Sequence, residues 1–248
     1  MNAYDINRFF RKLGVENVET IKPYFDVLEA FSRIVGFSFY VVDYFSRGFV
    51  YVSKNPLFLC GYTAEEVQSM GYSFYKKAVV EEDLEMLMEI DKKGEEFFSS
   101  ISVEDREKSV ISYDYRLKRS DGNIIMVTEQ NTPIVLTEDG QVRFALCIIT
   151  LSIYNKPGNI RVKVENQLYD YNYSLQSKKW KMSMKVSITN RERDILLLAA
   201  QGASNREIAN ALFIDISTVK FHKKNIFSKF KVKNIIGAIG FAYNNKLF

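Results

Sequence analysis

The chain of 248 residues contains one histidine, two cysteines and four prolines. The single histidine, His222, argues against a Ser-His-Asp arrangement and against a zinc site with ordinary nitrogen and sulfur ligands, so we expect a protein that is not an enzyme. Cys60 and Cys147 provide no disulfide framework, and their apolar surroundings indicate buried packing residues. No apolar run is long enough to span a membrane and the N-terminus lacks the features of a signal peptide, which predicts a cytoplasmic protein.

Charge is distributed unevenly along the chain. Residues 1–152 have 17 basic and 24 acidic side chains, residues 153–186 have seven and two, and residues 187–248 have ten and four. The net charges of these segments are therefore −7, +5 and +6. A basic C-terminal part suits a polyanion, whereas the acidic N-terminal part is unsuited to one.

Three helix starts can be identified in the C-terminal part. Thr189 and Ser204 each stand three residues before a glutamate, which is the pattern of a capping box. Gly202 can adopt the left-handed conformation that ends a helix, and only Ala203 separates it from the next cap. Asp215 is a plausible N-cap for a third helix that runs to about residue 230. The spacing predicts a helix-turn-helix with flanking helices.

The third helix has an apolar stripe and a polar face. Ile216, Val219, Ile226 and Phe230 recur at helical spacing and are expected to face the core. The opposite face combines lysines with an amide and an aromatic ring, which are side chains able to contact phosphates and base edges. A lysine-bearing face is often merely solvated, but the neighbouring caps favour the DNA-binding interpretation. The candidate DNA-binding residues are Ser204, Asn205, Ser217, Thr218, Lys220, Phe221, Lys223, Lys224, Asn225 and Lys229.

Residues 187–248 resemble the LuxR-type DNA-binding domain. The resemblance rests on Leu-Ala-Ala-Gln-Gly-Ala-Ser-Asn-Arg-Glu-Ile-Ala, on Thr-Val-Lys-Phe-His at 218–222 and on Val-Lys-Asn at 232–234. It implies that Lys220, Phe221 and Lys224 meet base edges in the major groove, while Thr218 and nearby lysines meet phosphates. It also implies a dimer surface on the last helix, 234–245. There the chain departs from the family, because isoleucines at 235 and 236 replace a common arginine.

The N-terminal part shows a different pattern. Apolar residues at helical spacing predict a pair of helices within 4–31. Two strands, 36–43 and 48–53, are followed by a helix at 82–98 and by three further strands, whose turns contain Asp-Gly pairs. The three strands are 110–119, 123–133 and 141–151.

Residues 32–152 resemble a PAS domain. The resemblance rests on Val-Ser-Lys-Asn at 52–55, Cys-Gly-Tyr-Thr-Ala-Glu-Glu-Val at 60–67, Glu-Asp-Leu at 82–84 and Arg-Leu-Lys-Arg-Ser-Asp-Gly at 116–122. It implies a sensing or dimerising role. Cys60 is misplaced for the cysteine of flavin photosensors, and no histidine is available to bind haem, so the cofactor remains unknown. Whether aromatic side chains fill the domain or leave a cavity for a ligand is open at this stage.

Residues 153–186 show three runs of alternating side chains, which predict a small β-meander between the two domains. Trp180 lies in the last run, and we expect this large aromatic side chain to anchor the meander on a domain. The alternative is a tryptophan that is buried only within the meander.

These patterns together predict an α+β protein. Its parts are an N-terminal helical segment (1–31), a PAS-like antiparallel sheet with helices (32–152), a β-rich connector (153–186) and an all-α, four-helix LuxR-type domain (187–248). We expect a one-component transcription regulator that acts as a homodimer on double-stranded DNA; RNA polymerase and a small molecule in the PAS-like domain are further candidate partners. The alternative is a signalling scaffold whose helix-turn-helix binds protein.

Overall fold

The computed structural model describes residues 24–248, which form two compact units divided between Ser183 and Met184. Of the helices predicted within 4–31, only the last lies in this range, and residues 1–23 lie outside the described residues. No helix among the described residues is long and apolar enough to cross a membrane.

The first unit contains six helices and eight strands in its described part. The predicted strands and the predicted long helix are all present, with ends that coincide or differ by up to three residues. The elements are α1 (Phe25–Ser32), β1 (Ser38–Asp43), β2 (Gly48–Val52), α2 (Pro56–Leu59), α3 (Ala64–Met70), α4 (Ser73–Ala78), α5 (Glu81–Ser100), α6 (Val103–Glu107), β3 (Ser109–Lys118), β4 (Ile124–Leu136), β5 (Val142–Leu151), β6 (Gly158–Val164), β7 (Tyr169–Ser174) and β8 (Lys179–Met184).

The strands form one sheet in the order β2-β1-β5-β4-β3-β6-β7-β8. All of the registers resolved between neighbouring strands are antiparallel; β3 pairs with β4 from Ile111↔Asn131 to Lys118↔Ile124, and β1 pairs with β5 from Ser38↔Ile149 to Asp43↔Phe144. This architecture confirms the predicted antiparallel sheet with helices.

The main core lies between the inner face of the sheet and helices α2 to α5. Tyr40 stacks on Phe58 of α2, with ring centroids 4.5 Å apart. The first turn of α5 is tied to β3, because the buried Asp83 accepts hydrogen bonds from the backbone amide and guanidinium of Arg116 at 2.7 to 3.0 Å. Cys60 and Cys147 are buried and free, which confirms their interpretation as packing residues.

The predicted meander is an extension of the same sheet. β6 pairs with β3 from Ser109↔Val164 to Asp114↔Gly158, so the three connector strands continue the sheet beyond β3. Trp180 on β8 lies 4.8 Å from the ring of Phe97 on α5. Tyr173 donates a hydrogen bond to Glu89 of the same helix at 2.7 Å. The tryptophan therefore anchors the connector on α5 instead of being buried only within the meander.

The second unit consists of four helices: α7 (Asn190–Ala200), α8 (Asn205–Leu212), α9 (Ile216–Phe230) and α10 (Ile235–Asn244). Its core contains one or more buried side chains from every helix, among them Leu196, Ile208, Phe230 and Phe241. The rings of Phe230 and Phe241 stack 4.4 Å apart and join α9 to α10. The predicted four-helix architecture is confirmed.

Candidate nucleic-acid interface

Two capping boxes hold the starts of α7 and α8. Thr189 Oγ1 accepts from the backbone amide of Glu192 at 3.2 Å, while the Glu192 carboxylate accepts from the Thr189 amide at 2.8 Å. Ser204 and Glu207 repeat the arrangement at 3.3 and 2.7 Å. Because each box pairs amides that a helix start leaves without partners, both helices begin at fixed residues.

The connections between the helices use left-handed backbone. Gly202 has φ +88°, and the Ala203 amide donates to the carbonyl of Leu198 at 3.1 Å, which ends α7 as predicted. Phe213 has φ +53° at the end of α8 and is 95% exposed. Asp215 takes the N-cap position of α9, but its side chain makes no capping hydrogen bond.

One side of helix α9 packs against the core of the second unit. Val219, Ile226 and Phe230 are buried, as predicted. Ile216 was assigned to the same stripe, and that assignment is wrong, because its side chain is 42% exposed. Ile216 lies in the first turn of α9, where the side chain stays partly in contact with solvent. The three deeper positions fix the rotation of the helix about its axis.

The rotation of α9 exposes the side chains expected to face DNA. One exposed stripe of α9 consists of side chains that recur at spacings of three and four residues, namely Ser217, Lys220, Phe221 and Lys224. The Phe221 side chain on this stripe is 60% exposed. Thr218, Lys223 and Asn225 flank this stripe and are half-buried. An exposed aromatic ring between two lysines suits a groove, where the ring can touch a thymine methyl and the ammonium groups can reach guanine or phosphate.

Two candidate lysines already have partners within the unit. Lys223 Nζ donates to Asn205 Oδ1 at 2.7 Å, which joins α9 to the first turn of α8, and burial lowers the pKa of Lys223. Lys229 Nζ lies 2.8 and 3.0 Å from the two carboxylate oxygens of Glu192. The predicted DNA contact of Lys229 stays a prediction, and in the structure its ammonium group pairs with a carboxylate of α7. Its pairing could not be read from helical spacing, since the partners are 37 residues apart.

The Glu192–Lys229 pair is expected to contribute to stability, because the Glu192 carboxylate is buried. Burial raises the pKa of the Glu192 carboxyl, but Lys229 and the Thr189 cap outweigh burial, and the pKa lies below its ordinary value. We expect Glu192→Gln to lower the free energy of unfolding by about 1 to 2 kcal/mol at neutral pH, since the glutamine keeps the cap and loses the charge. Hydrogen exchange of the α7 and α9 amides would measure the loss.

Glu207→Gln is the matched control for this prediction, because Glu207 occupies the same position in the other capping box and its carboxylate forms no salt bridge with a residue that the structure describes. Its substitution should cost less than about 1 kcal/mol. A carboxyl with a lowered pKa contributes stability above its ordinary pKa of 4.5, and this contribution disappears as the pH falls. Equal losses in the two variants would contradict a role for the ion pair.

A second polar site, in the first unit, was not found from the sequence. Glu129 of β4 is 1% exposed, and its carboxylate accepts hydrogen bonds from the hydroxyls of Tyr40, Tyr113 and Tyr115 at 2.7 to 2.8 Å. Asn131 donates to the Tyr113 hydroxyl at 3.0 Å. No ion pair joins Glu129 to another residue of the described range. Burial raises the pKa of Glu129, and the tyrosine hydroxyls oppose that rise.

Comparison with known families identifies the two parts of the chain. Residues 186–242 match the family described as bacterial regulatory proteins, luxR family. Residues 49–149 match the PAS fold. Two separate segments of the chain thus match a PAS fold and a LuxR-type domain. The LuxR-type match includes the capping boxes of α7 and α8 and the whole of α9.

Individual relatives are similar over parts of their length. The response regulator protein VraR of Staphylococcus aureus is 48% identical over 60 residues, which are 24% of this chain and 29% of VraR. The chain thus matches less than a third of the length of its curated relatives. The Vibrio cholerae VqmA dimer, solved without target DNA, has 17% identity over 90% of this chain and 88% of VqmA, with a TM-score of 0.35. A PAS domain from Colwellia psychrerythraea has 20% identity over 51% of this chain and 97% of that domain, with a TM-score of 0.36.

Proposed function

We propose that the protein is a sequence-specific, DNA-binding transcription regulator of the one-component type, acting in the cytoplasm. The observation that carries this proposal is the exposed stripe of α9, where Lys220, Phe221 and Lys224 project from a helix held by three buried residues. A helix presented in this way fits the major groove of duplex DNA, in which base edges offer acceptors for lysine and a methyl group for phenylalanine.

Some of the remaining candidate residues contact DNA in this proposal, and others hold the helices in place. Ser217, Thr218 and Asn225 lie beside the stripe and supply hydroxyl and amide groups to bases or phosphates. Ser204 and Asn205 begin α8, whose N-terminus presents amides to a phosphate. Lys223 and Lys229 support the geometry through Asn205 and Glu192.

In this proposal the two units have different roles. We assign DNA binding to residues 187–248 and sensing or dimerisation to the PAS fold at 32–152, with 153–186 as the connector. VqmA has been solved as a complex with ligand and DNA. A small molecule in the PAS fold and RNA polymerase at the promoter are candidate partners of this chain as well. The chemistry proposed is recognition, with no catalytic step.

Duplex binding by the full chain at increasing salt concentration tests the function. Neutralisation of phosphates by lysines releases counterions, so the logarithm of the association constant should fall linearly with the logarithm of the salt concentration. Affinity should also be higher for duplexes selected from a random pool than for scrambled ones. A chain that binds no duplex at about 50 mM salt would favour the scaffold, whose helix-turn-helix contacts protein.

The exposed side of α10 is the proposed dimer surface of the LuxR-type domain. Ile236 is 78% exposed and Tyr243 is 64% exposed, and an apolar side chain gains stability when a second copy covers it. We expect Ile236→Lys to weaken the DNA-bound dimer by about tenfold or more, because a buried lysine would lack a partner.

Sedimentation and binding stoichiometry on a duplex with two half-sites would measure that change. Leu168→Lys, which alters a 73% exposed leucine of the connector outside both proposed dimerisation regions, is the control and should leave the stoichiometry unchanged. A parent-like dimer in the Ile236→Lys variant would show that α10 is not the interface.

A further inference from the structure

The sheet extension formed by β6, β7 and β8 has one polar outer face. The register pairs Arg161 with Asn172 and Lys163 with Asp170, so these four side chains point away from the core. Val162, which alternates with them, is fully buried on the inner side. Arg161 Nε donates to Asn172 Oδ1 at 3.2 Å. Two basic side chains of β6 therefore lie on the outside of the sheet.

β8 adds two exposed lysines to the same face. Asn172 Nδ2 donates to Ser183 Oγ at 2.6 Å, which places Ser183 on the outer side. Lys179 and Lys181 alternate with Trp180, whose ring packs inward on α5, so both lysines share the side of Ser183. Both are exposed. We call Arg161, Lys163, Lys179 and Lys181 the basic face.

The net charge of the segment that carries the basic face is opposite in sign to that of the rest of the sheet. The segment that contains β1 to β5 has a net charge of −7 and the segment that contains β6 to β8 has +5, although β3 and β6 are hydrogen-bonded neighbours. The segment 153–186 has two carboxylates: Asp170, which is buried with its Oδ2 3.8 Å from Arg161, and Glu165, which is exposed directly after β6. The four cations of the basic face thus outnumber the carboxylates of the segment by two to one.

Protection of the sheet edge does not explain the arrangement. Lysines on an edge strand hinder pairing with other chains, and β8 is an edge strand. β6, however, lies between β3 and β7 in the interior of the sheet, where no edge needs protection. Cations on both strands form a surface, and a surface of one charge is suited to a polyanion.

The position of the basic face in the chain indicates which polyanion it contacts. Residues 185–188 alone separate β8 from Thr189, the N-cap of α7. The five residue steps from Met184 to Thr189 span at most about 18 Å when extended, less than one helical turn of duplex DNA, which is about 34 Å. We propose that the basic face contacts the phosphate backbone of the duplex that α9 reads, as a second and sequence-independent contact. This inference rests on the proposed function.

Substitution of the two exposed lysines tests the proposal. The double variant Lys179→Gln, Lys181→Gln would be compared with the parent on a random-sequence duplex of about 40 base pairs, long enough for flanking contacts. The slope of log affinity against log salt should fall by about one for each lysine. The control, Lys76→Gln with Lys92→Gln, removes two exposed lysines from helices of the acidic part and should keep the parent's slope.

The outcomes separate this proposal from the function on which it rests. A parent that binds duplex DNA with an unchanged slope in the Lys179, Lys181 variant would overturn the second contact and leave the proposed function intact. Equal reductions in the variant and the control would also overturn it, since net charge alone would then explain the effect. A parent that binds no duplex would overturn both. Unchanged thermal unfolding of the variants would show that folding is preserved.

Discussion

Glu129→Leu should lower the free energy of unfolding of the first unit by about 3 to 5 kcal/mol. The substitution removes the acceptor of three buried tyrosine hydroxyls. The Tyr40 hydroxyl keeps a hydrogen bond with the Tyr75 hydroxyl at 2.5 Å, whereas the hydroxyls of Tyr113 and Tyr115 lose their acceptor. Each unsatisfied buried hydroxyl costs about 1 to 3 kcal/mol, and the neighbouring tyrosines recover part of that cost by bonding to each other. Urea unfolding followed by the fluorescence of Trp180, the chain's one tryptophan, reports on this unit because its ring packs on Phe97.

Removal of the tyrosine hydroxyls should reverse much of the loss. In Glu129→Leu combined with Tyr113→Phe and Tyr115→Phe, two of the three donors disappear together with the acceptor, and the third, Tyr40, keeps a hydrogen bond with the Tyr75 hydroxyl at 2.5 Å. Removal of donor and acceptor together is close to neutral when the shape is kept. The two phenylalanine substitutions alone should destabilise the unit, since they leave the carboxylate buried with fewer donors. A triple variant no more stable than Glu129→Leu would show that packing, and not hydrogen bonding, decides the effect.

The same carboxyl should make stability depend on pH. Burial raises the folded-state pKa of Glu129 above its ordinary value of 4.5, so the folded chain retains this proton longer than the unfolded chain. The stability contributed by this group therefore falls as the pH rises from about 4.5 through the folded-state pKa. Glu129→Gln lacks this dependence, so the parent's advantage over it should decrease over that interval. An advantage that grows with pH would contradict a raised pKa.

Lys220→Ala and Lys224→Ala should each weaken specific DNA binding by about 1 to 3 kcal/mol. Both lysines are exposed on α9, so the four-helix unit should keep its stability. Lys246→Ala is the control, since Lys246 is an exposed lysine beyond α10. Its substitution should change specific affinity little. Losses in all three variants of equal size would show that net charge, and not position on α9, determines binding.

Local patterns predicted the helix-turn-helix well, because caps and buried stripes depend on residues close in sequence. Both capping boxes formed as expected, and Val219, Ile226 and Phe230 entered the core. Ile216 did not, because burial also requires a neighbouring helix to cover the position. No pattern within α9 marks such a neighbour.

Features that depend on strand pairing could not be predicted from the sequence. Glu129 shares the inner face of β4 with the buried Val127, and only the register with β3, which sets Glu129 against Tyr113, identifies the hydroxyls that surround it. The connector strands were recognised, but their membership in the main sheet depends on pairing between β6 and β3, some 50 residues apart. Lys229 likewise pairs with a residue of another helix. Long-range contacts of this kind leave no local signature.

The most direct test of the central claim is the ratio of affinities for selected and scrambled duplexes, measured for the parent and for the Lys220→Ala, Lys224→Ala double variant at one salt concentration. If α9 reads bases, the double variant should lose affinity mainly for the selected duplex, and the ratio should fall by about one to four orders of magnitude. Equal losses on the two duplexes, with the ratio preserved, would contradict the claim and reduce these lysines to phosphate contacts.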